Sequence, residues 1–364
     1  MSDDFEKETY IAAPLLKDFV TTILQAVDLS RADAQTVAWA LVEANLEGID
    51  THGVSRLAIY ARRVRAGLAT AHPAFRWTHP APAVALLDAD NALGPVAATA
   101  AIDEAVRLAK SQGIGMVAVA HTNHAAALSA YTERAAAAGC IALMVCNTPP
   151  GVPPWGGRVA FFGTNPLAFA APGPTPNEPP VVVDMATSIV ARGNIIMAAR
   201  QDKPIPEGWA IDAEGRPTTD PKAALAGAVL PMAGAKGYAL ALMIEILSAI
   251  IPGTSWGPHV RSPYDDWTAP TDAGLWCLAI HLGPLMSTEE YTSRLGGMLA
   301  AVRETETATG QRIRIPGERR AELRAKRTRE GIPVDATTRA ELVALSAEVG
   351  IEPLSDIYPS MDKP

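Results

Sequence analysis

A chain of 364 residues with 48% hydrophobic content can bury one large core or two ordinary ones, which predicts a two-domain globular protein and argues against long disorder. Its formal net charge of -8 is spread rather than blocked; no clustered basic face arises for phosphate backbones, so nucleic acid is excluded as a partner. Three cysteines without CxxC spacing, Cys140, Cys146 and Cys277, do not suit a secreted disulfide framework and point to a reducing cytoplasm.

The opening MSDDFEKETY is acidic and polar where a signal peptide is basic and then apolar, so no export is expected. Apolar spacing predicts a helix over 13–27. Ser30 to Asp33 then reads as a capping signal for a second helix that Gly48 ends. From Val54, the positions Leu57, Tyr60, Ala61, Val64 and Leu68 predict a third helix, with Gly67 as terminator. The Pro-rich stretch 72–83 marks a change to strands alternating with helices, and hence a domain boundary. A strand in VALLDAD, a helix from Val96 to Ser111, a strand from Ile114 to Ala120, an Ala-rich helix from Ala125 to Ala138 closed by Gly139, and a strand from Ile141 to Cys146 follow in order.

Residues 147–180 are rich in Pro and Gly and predict ordered binding loops. VVVDMATSIVARGNIIMAAR then reads as a strand running straight into a helix, and 201–221 as a long loop. GYALALMIEILSAII from Gly237 carries Glu245 and is too short to span a bilayer, so it reads as a buried helix with no membrane role. A strand at Leu275 to Ile280, helical patterning from Ser287, RIRIP as a short strand and two charged helical segments complete the chain. The expected domains are a helical one from 1–80 and 285–364, and an α/β one from 81–284.

Gly113 and Gly115 satisfy a relaxed GxGxxA fingerprint, but a helix precedes them and a strand follows. That is the reverse of the Rossmann order, so they read as a helix stop. No P-loop and no GxSxG occur. In GIDTHGVSR, His52 is a candidate acid/base near neutral pH, Thr51 can orient its ring, and Arg56 one turn on can hold a carboxylate; a plain capped helix start remains the alternative. His121-Thr-Asn-His124 reads as a strand end and helix start facing a crevice. Its alternatives are a metal pair, which would make a metal-dependent hydrolase, or a cap by Thr122 or Asn123. Asp184-Met-Ala-Thr-Ser188 suits a ribose or amide contact, or an ordinary cap.

Seven collinear segments over roughly residues 10 to 330 together resemble the malate/L-lactate dehydrogenase family that lacks a Rossmann fold. They are GIDTHGVSR, HTNH, PPWGGRVAFFGTNPLAFAAP, VVVDMATSIVARG, PEGWAIDAEGRPTTDP, GAKGYALAL and RIPGERR. Its members act on malate, sulfolactate or ureidoglycolate, or reduce diketogulonate or cyclic imines such as piperideine-2-carboxylate. The resemblance implies an α/β fold with a non-Rossmann NAD(P)-binding domain and mixed sheet, plus a helical domain built from both chain ends. It also implies a homodimer and hydride transfer between NAD or NADP and a small 2-hydroxy or 2-oxo acid, or alternatively a cyclic imine. A catalytically idle small-molecule binder is the rival, and intact Thr51, His52 and Arg56 count against it.

By the same resemblance, His52 and His124 compete as acid/base with Thr51 as hydroxyl partner, and His124 and Ala125 lie beside the nicotinamide. Arg56, Thr164, Arg192 and Gly193 take the substrate, with Arg56 on its carboxylate. Asp184, Met185, Ala186, Lys236, Pro316, Gly317, Glu318 and Arg319 contact the dinucleotide, with Lys236 near the phosphates; no metal is implied. This chain has Ala235-Lys236 where the family often has His-Lys, Ala125-Ala126 where it often has Phe-Gly, and Asn194 where it often has Lys. These departures reshape the pocket.

Overall fold

A computed structural model describes residues 9–175 and 177–354, the side chain of Arg200 apart. After β1 (Thr9–Ile11), three helices follow: α1 (Ala13–Ala26), α2 (Arg31–Leu46) and α3 (Leu57–Arg65). Ser30 caps α2 by accepting from the Asp33 amide at 3.1 Å, as its capping pattern predicts. Gly48 and Gly67, both at positive φ, lie just beyond the ends of α2 and α3.

The sheet region comprises β2 (Arg76–Ala81), β3 (Val84–Ala92), α4 (Gly94–Gln112), β4 (Ile114–Thr122), α5 (Ser129–Ala137), β5 (Cys140–Cys146), β6 (Leu167–Ala171) and β7 (Val181–Met185). Next come α6 (Arg192–Arg200), β8 (Ala210–Ile211), β9 (Pro217–Thr218), α7 (Pro221–Ala226), β10 (Ala228–Val229), α8 (Ala235–Glu245) and β11 (Ala273–His281). The end of the described chain holds α9 (Thr288–Glu304), α10 (Glu318–Glu330), β12 (Ile332–Val334) and α11 (Ala336–Val349).

Seven strands form a mixed sheet in the order β2-β3-β4-β11-β5-β6-β7, in which β3 and β4 run parallel and every other neighbour pair is antiparallel. A Rossmann sheet is not built this way. Gly113, at φ 86, caps α4, and a Cβ on Gly115 would lie 2.1 Å from the Ala105 carbonyl, so the second glycine lets α4 press on β4. β1 pairs with β12, which joins the two ends of the described chain, and α11 packs on α3 and α1. One apolar core runs from α1 and α2 through α4 to β4, β5 and β11. Among the described residues no helix is long and apolar enough to cross a membrane.

Several expectations are corrected. The Ala-rich helix starts at Ser129, not Ala125, because Ala126 sits at positive φ and the Ala125 carbonyl accepts from the Tyr131 hydroxyl at 2.7 Å. The stretch 147–180 holds β6, whose apolar run Leu167–Ala171 was masked by surrounding Pro and Gly. RIRIP is no strand: only the Pro316 carbonyl meets β7, accepting from the Val182 amide at 3.1 Å. The loop 201–221 contributes β8 and β9 to a small three-stranded sheet with β10. Six residues separate β7 from α6, so strand does not run straight into helix. The helix from Ala235, which continues as a π-helical turn over Ile246–Ile250, is not wholly buried: Leu242, Met243, Ile246, Ile250 and Ile251 are exposed. Apolar on all sides, it covers the sheet with one face and leaves the other bare in a single chain.

Candidate active site

GIDTHGVSR folds as two short 3-10 turns, Asp50–His52 and Val54–Arg56, rather than as the first turn of an α-helix. Asn45, buried at the end of α2, shapes it: its amide nitrogen donates to Asp50 at 2.6 Å and its oxygen accepts from the Val54 amide at 2.8 Å. Gly53 has to be glycine, since a Cβ there would lie 2.2 Å from the Asn45 oxygen. Arg327 of α10 grips Asp50 with both terminal nitrogens, at 2.7 and 3.0 Å. The loop is thereby fixed from two helices that lie far apart in sequence.

What it presents is His52. Thr51 Oγ1 lies 2.9 Å from His52 Nδ1, and Arg56 Nε donates to the Thr51 carbonyl at 2.6 Å. The His52 ring stacks on His124, with centroids 5.5 Å apart and planes 29° apart. Tyr60, one turn beyond Arg56, places its hydroxyl 2.7 Å from His124 Nδ1 and 3.0 Å from the His124 carbonyl. A carbonyl only accepts, so both contacts are met together when the hydroxyl donates to the carbonyl and Nδ1–H donates to the hydroxyl. Nε2 of His124 then carries the free lone pair.

Burial, followed by the nearby Arg56 charge, pulls the His52 pKa from the usual 6.5 to about 4. His124 is also held well below the usual value by burial, and then by the charges of His52 and Arg56. Burial also raises the Tyr60 phenol. At neutral pH the site therefore holds two uncharged imidazoles beside one fixed cation.

The sequence marks Tyr60 only as a core-facing helix position and carries no signal for Tyr264. Yet the Tyr264 ring lies 5.2 Å from the Arg56 guanidinium. A helical register shared with Arg56 was the one signal for Tyr60.

HTNH divides. His124 joins the pair, whereas His121 Nδ1 meets Asp272 at 2.8 Å. Asp272 in turn is held by Thr254 and Ser255. No helix starts here, and Thr122 and Asn123 are not caps: they turn inward to the carbonyls of Asn91 and Ala92. Asp184 neither caps a following helix nor stands free. Its carboxylate accepts from the Ser129 amide at 3.0 Å, at the start of α5, and lies 3.7 Å from Arg320. Burial raises its pKa against the pull of Arg320. The hydroxyls of Thr187 and Ser188 serve backbone carbonyls, those of Thr164 and Val190, instead of opening a helix.

Two of the dinucleotide candidate segments meet at one edge, while Lys236, His124 and Ala125 lie outside it. Pro316 bonds to β7, and Arg320 donates to the Asp184 carbonyl at 3.3 Å, so Asp184, Met185 and Ala186 lie beside Pro316, Gly317, Glu318 and Arg319. Between this edge and Gly48-Ile49 opens a cavity of about 360 Å³, lined by Arg314, Arg319 and Arg320 among others. It sits at the start of α10, whose first amides have no intrahelical acceptor. Arg319 is exposed and has no ion-pair partner among the described residues. Guanidinium groups and a helix N-terminus fit dinucleotide phosphates. Glu318 turns away to Arg303 and the Ile315 amide.

Lys236 is exposed in the first turn of α8, and Thr164 is tied to Thr187, two residues beyond Met185. Arg192 and Gly193 open α6 without a contact that joins them to the histidine pair.

Against solved structures, the fold matches sulfolactate dehydrogenase from Methanocaldococcus jannaschii with a TM-score of 0.88 at 34% identity, covering 95% of this chain and 99% of that one. It matches Δ1-piperideine-2-carboxylate reductase from Pseudomonas syringae pv. tomato with a TM-score of 0.79 at 30% identity, covering 93% and 99%. Ureidoglycolate dehydrogenase (NAD(+)) of Escherichia coli strain K12 is 36% identical over 325 residues, 89% of this chain and 92% of the relative. The protein is thus an oxidoreductase of the dehydrogenase and reductase class. Residues 11–343 match the malate/L-lactate dehydrogenase model, and the chain belongs to that family.

Proposed function

We propose that this enzyme transfers a hydride between NAD or NADP and C2 of a small 2-hydroxy or 2-oxo acid, of the malate, lactate or sulfolactate kind. The observation that carries the reading is the stacked, uncharged His52–His124 pair beside Arg56. When bound, the nicotinamide supplies or takes the hydride. Arg56 holds the carboxylate, and Thr164, Arg192 and Gly193 complete the substrate side. A neutral imidazole accepts the proton of a C2 hydroxyl during oxidation; in reduction, its conjugate acid returns it. His124, with Nε2 free and Nδ1 held by Tyr60, and His52, oriented by Thr51, are the two candidates. Ala125, Asp184, Met185, Ala186, Lys236 and the Pro316–Arg319 segment hold the dinucleotide.

The likeness to a piperideine-2-carboxylate reductase supports a second reading, reduction of a cyclic imine, in which the same pair moves a proton at nitrogen. Three free, buried cysteines support a cytoplasmic setting, and the bare apolar face of α8 supports a homodimer.

Rates measured by absorbance with NADH and NADPH separately, over a panel of 2-oxo acids and cyclic imines, test the reading. Oxidation of either cofactor by a 2-oxo acid supports it, and preference for an imine selects the second reading. Inertness across the panel points instead to an idle binding protein.

A further inference from the structure

Residues 261–272 form a loop held by a residue that the proposed chemistry does not use. Arg63 of α3 is only 2% exposed and has no carboxylate partner among the described residues; its guanidinium donates to the carbonyls of Pro263, Asp266 and Ala269 at 3.2, 2.9 and 3.0 Å. Its charge also lies over the Trp267 ring, 5.5 Å from the centroid. A buried cation spent on three carbonyls of one loop fixes that loop in space. Local turns stiffen it further: Ser262 accepts from the amides of Tyr264 and Asp265, and Asp266 from the amide and hydroxyl of Thr268.

The loop delivers Tyr264 to the Arg56 guanidinium. Arg56, in the 3-10 turn that leads into α3, precedes Arg63 by seven residues, so one continuous segment sets both the cation and the anchor of the ring that faces it. Arg56 commits Nε to the Thr51 carbonyl and also donates to the Tyr264 hydroxyl, which keeps its own proton to give, so the guanidinium can still meet a substrate carboxylate beside that hydroxyl. A carboxylate held end-on by one guanidinium keeps lone pairs to spare. Tyr264, whose ring lies beside that guanidinium, is 45% exposed, whereas the Tyr60 hydroxyl is already given to the His124 carbonyl.

We infer that Tyr264 is a substrate-binding residue that donates its hydroxyl to the carboxylate held by Arg56, and that Arg63 is the residue positioning it. The inference rests on Arg56 as the carboxylate ligand. Its test is therefore run beside Arg56→Lys, with pyruvate and oxaloacetate as substrates and oxamate as an unreactive 2-oxo analogue titrated calorimetrically in the presence of NADH.

Tyr264→Phe removes only the hydroxyl. It should raise KM and the oxamate Kd about tenfold, the factor carried by one hydrogen bond to a charged group, and lower kcat by less. Arg63→Met should move KM in the same direction with dinucleotide affinity unchanged, and the double variant should be no worse than the poorer single one. If Arg63→Met does not fold, Trp267→Leu at the loop surface replaces it. Wild-type KM and oxamate affinity in Tyr264→Phe, with both weakened in Arg56→Lys, overturns the role of Tyr264 alone. No change in either variant overturns the Arg56 assignment together with it. Additive losses in the double variant remove Arg63 as a residue acting through Tyr264.

Discussion

In the proposed chemistry, the charge state of His52 sets the pH response of the site. Above about pH 6.5 an ordinary imidazole is already neutral, so a lowered pKa changes nothing there. Between 6.5 and about 4, the unfolded chain takes up a proton that folded His52 refuses, so stability falls as pH drops through that window and no further below it. The same shift predicts the activity profile. For oxidation of the 2-hydroxy acid, the acidic limb of kcat/KM should lie below pH 6.5, toward 4, because that ratio reports the free enzyme. A bound carboxylate offsets the Arg56 charge, one of the two causes of the shift, so the limb of kcat should lie at higher pH. Coincident limbs near 6.5 would contradict the buried, cation-facing environment. His52→Ala should lower turnover about a hundredfold or more while leaving dinucleotide affinity intact, as measured by NADH fluorescence. Unchanged turnover would pass the proton to His124.

At the scale of elements, the loop that carries His52 is a suspended object. Asn45 of α2 holds it from one side and Arg327 of α10 from the other, and Gly53 leaves room for the Asn45 amide. Gly53→Ala must push that buried amide away from the Val54 amide and Asp50. The expected cost is about 1–3 kcal/mol of stability, with a lower kcat at unchanged dinucleotide affinity. Wild-type melting temperature and rate in that variant would mean that the loop does not depend on Asn45. Much of this was legible beforehand: Ser30, Gly48 and Gly67 announce helix ends by capping and positive φ, and the glycines at 113 and 115 betray a helix stop because their order is reversed. The strand β6 was hidden because Pro and Gly on both sides break the local pattern, while its apolar residues answer to a neighbouring strand. α10 gives no apolar stripe to read. Arg320, Arg324 and Arg327 share one face and bind Glu47, Glu43 and Asp50, so its orientation is written in partners more than 270 residues away. Tyr264 was beyond sequence reading for the same reason: its place depends on Arg63 two hundred residues earlier.

Across the whole molecule, the helix from Ala235 poses a problem that one chain does not solve. Ala241, Ile244, Ser248 and Ala249 face the protein, where the helix and its π-helical turn pack on β4, β5 and β11. On the opposite side Leu242, Ile246 and Ile250, spaced four apart, form an apolar row; Ile246 is 46% and Ile250 56% exposed. Met243 and Ile251 flank it, and α6 also exposes Ile196 and Met197. Isolated exposed apolar residues need no explanation, but a row along two turns of helix marks a contact surface. The proposed homodimer would cover it, because a two-fold interface lets one apolar helix face lie on its counterpart. The double substitution of Ile246→Glu and Ile250→Glu puts charge into the middle of that row without touching the packed side. Light scattering should find the wild-type chain at twice the monomer mass and the double variant at the monomer mass, with the same circular dichroism spectrum. A wild-type monomer at high concentration, or a double variant that stays dimeric, would locate the subunit contact elsewhere or remove it.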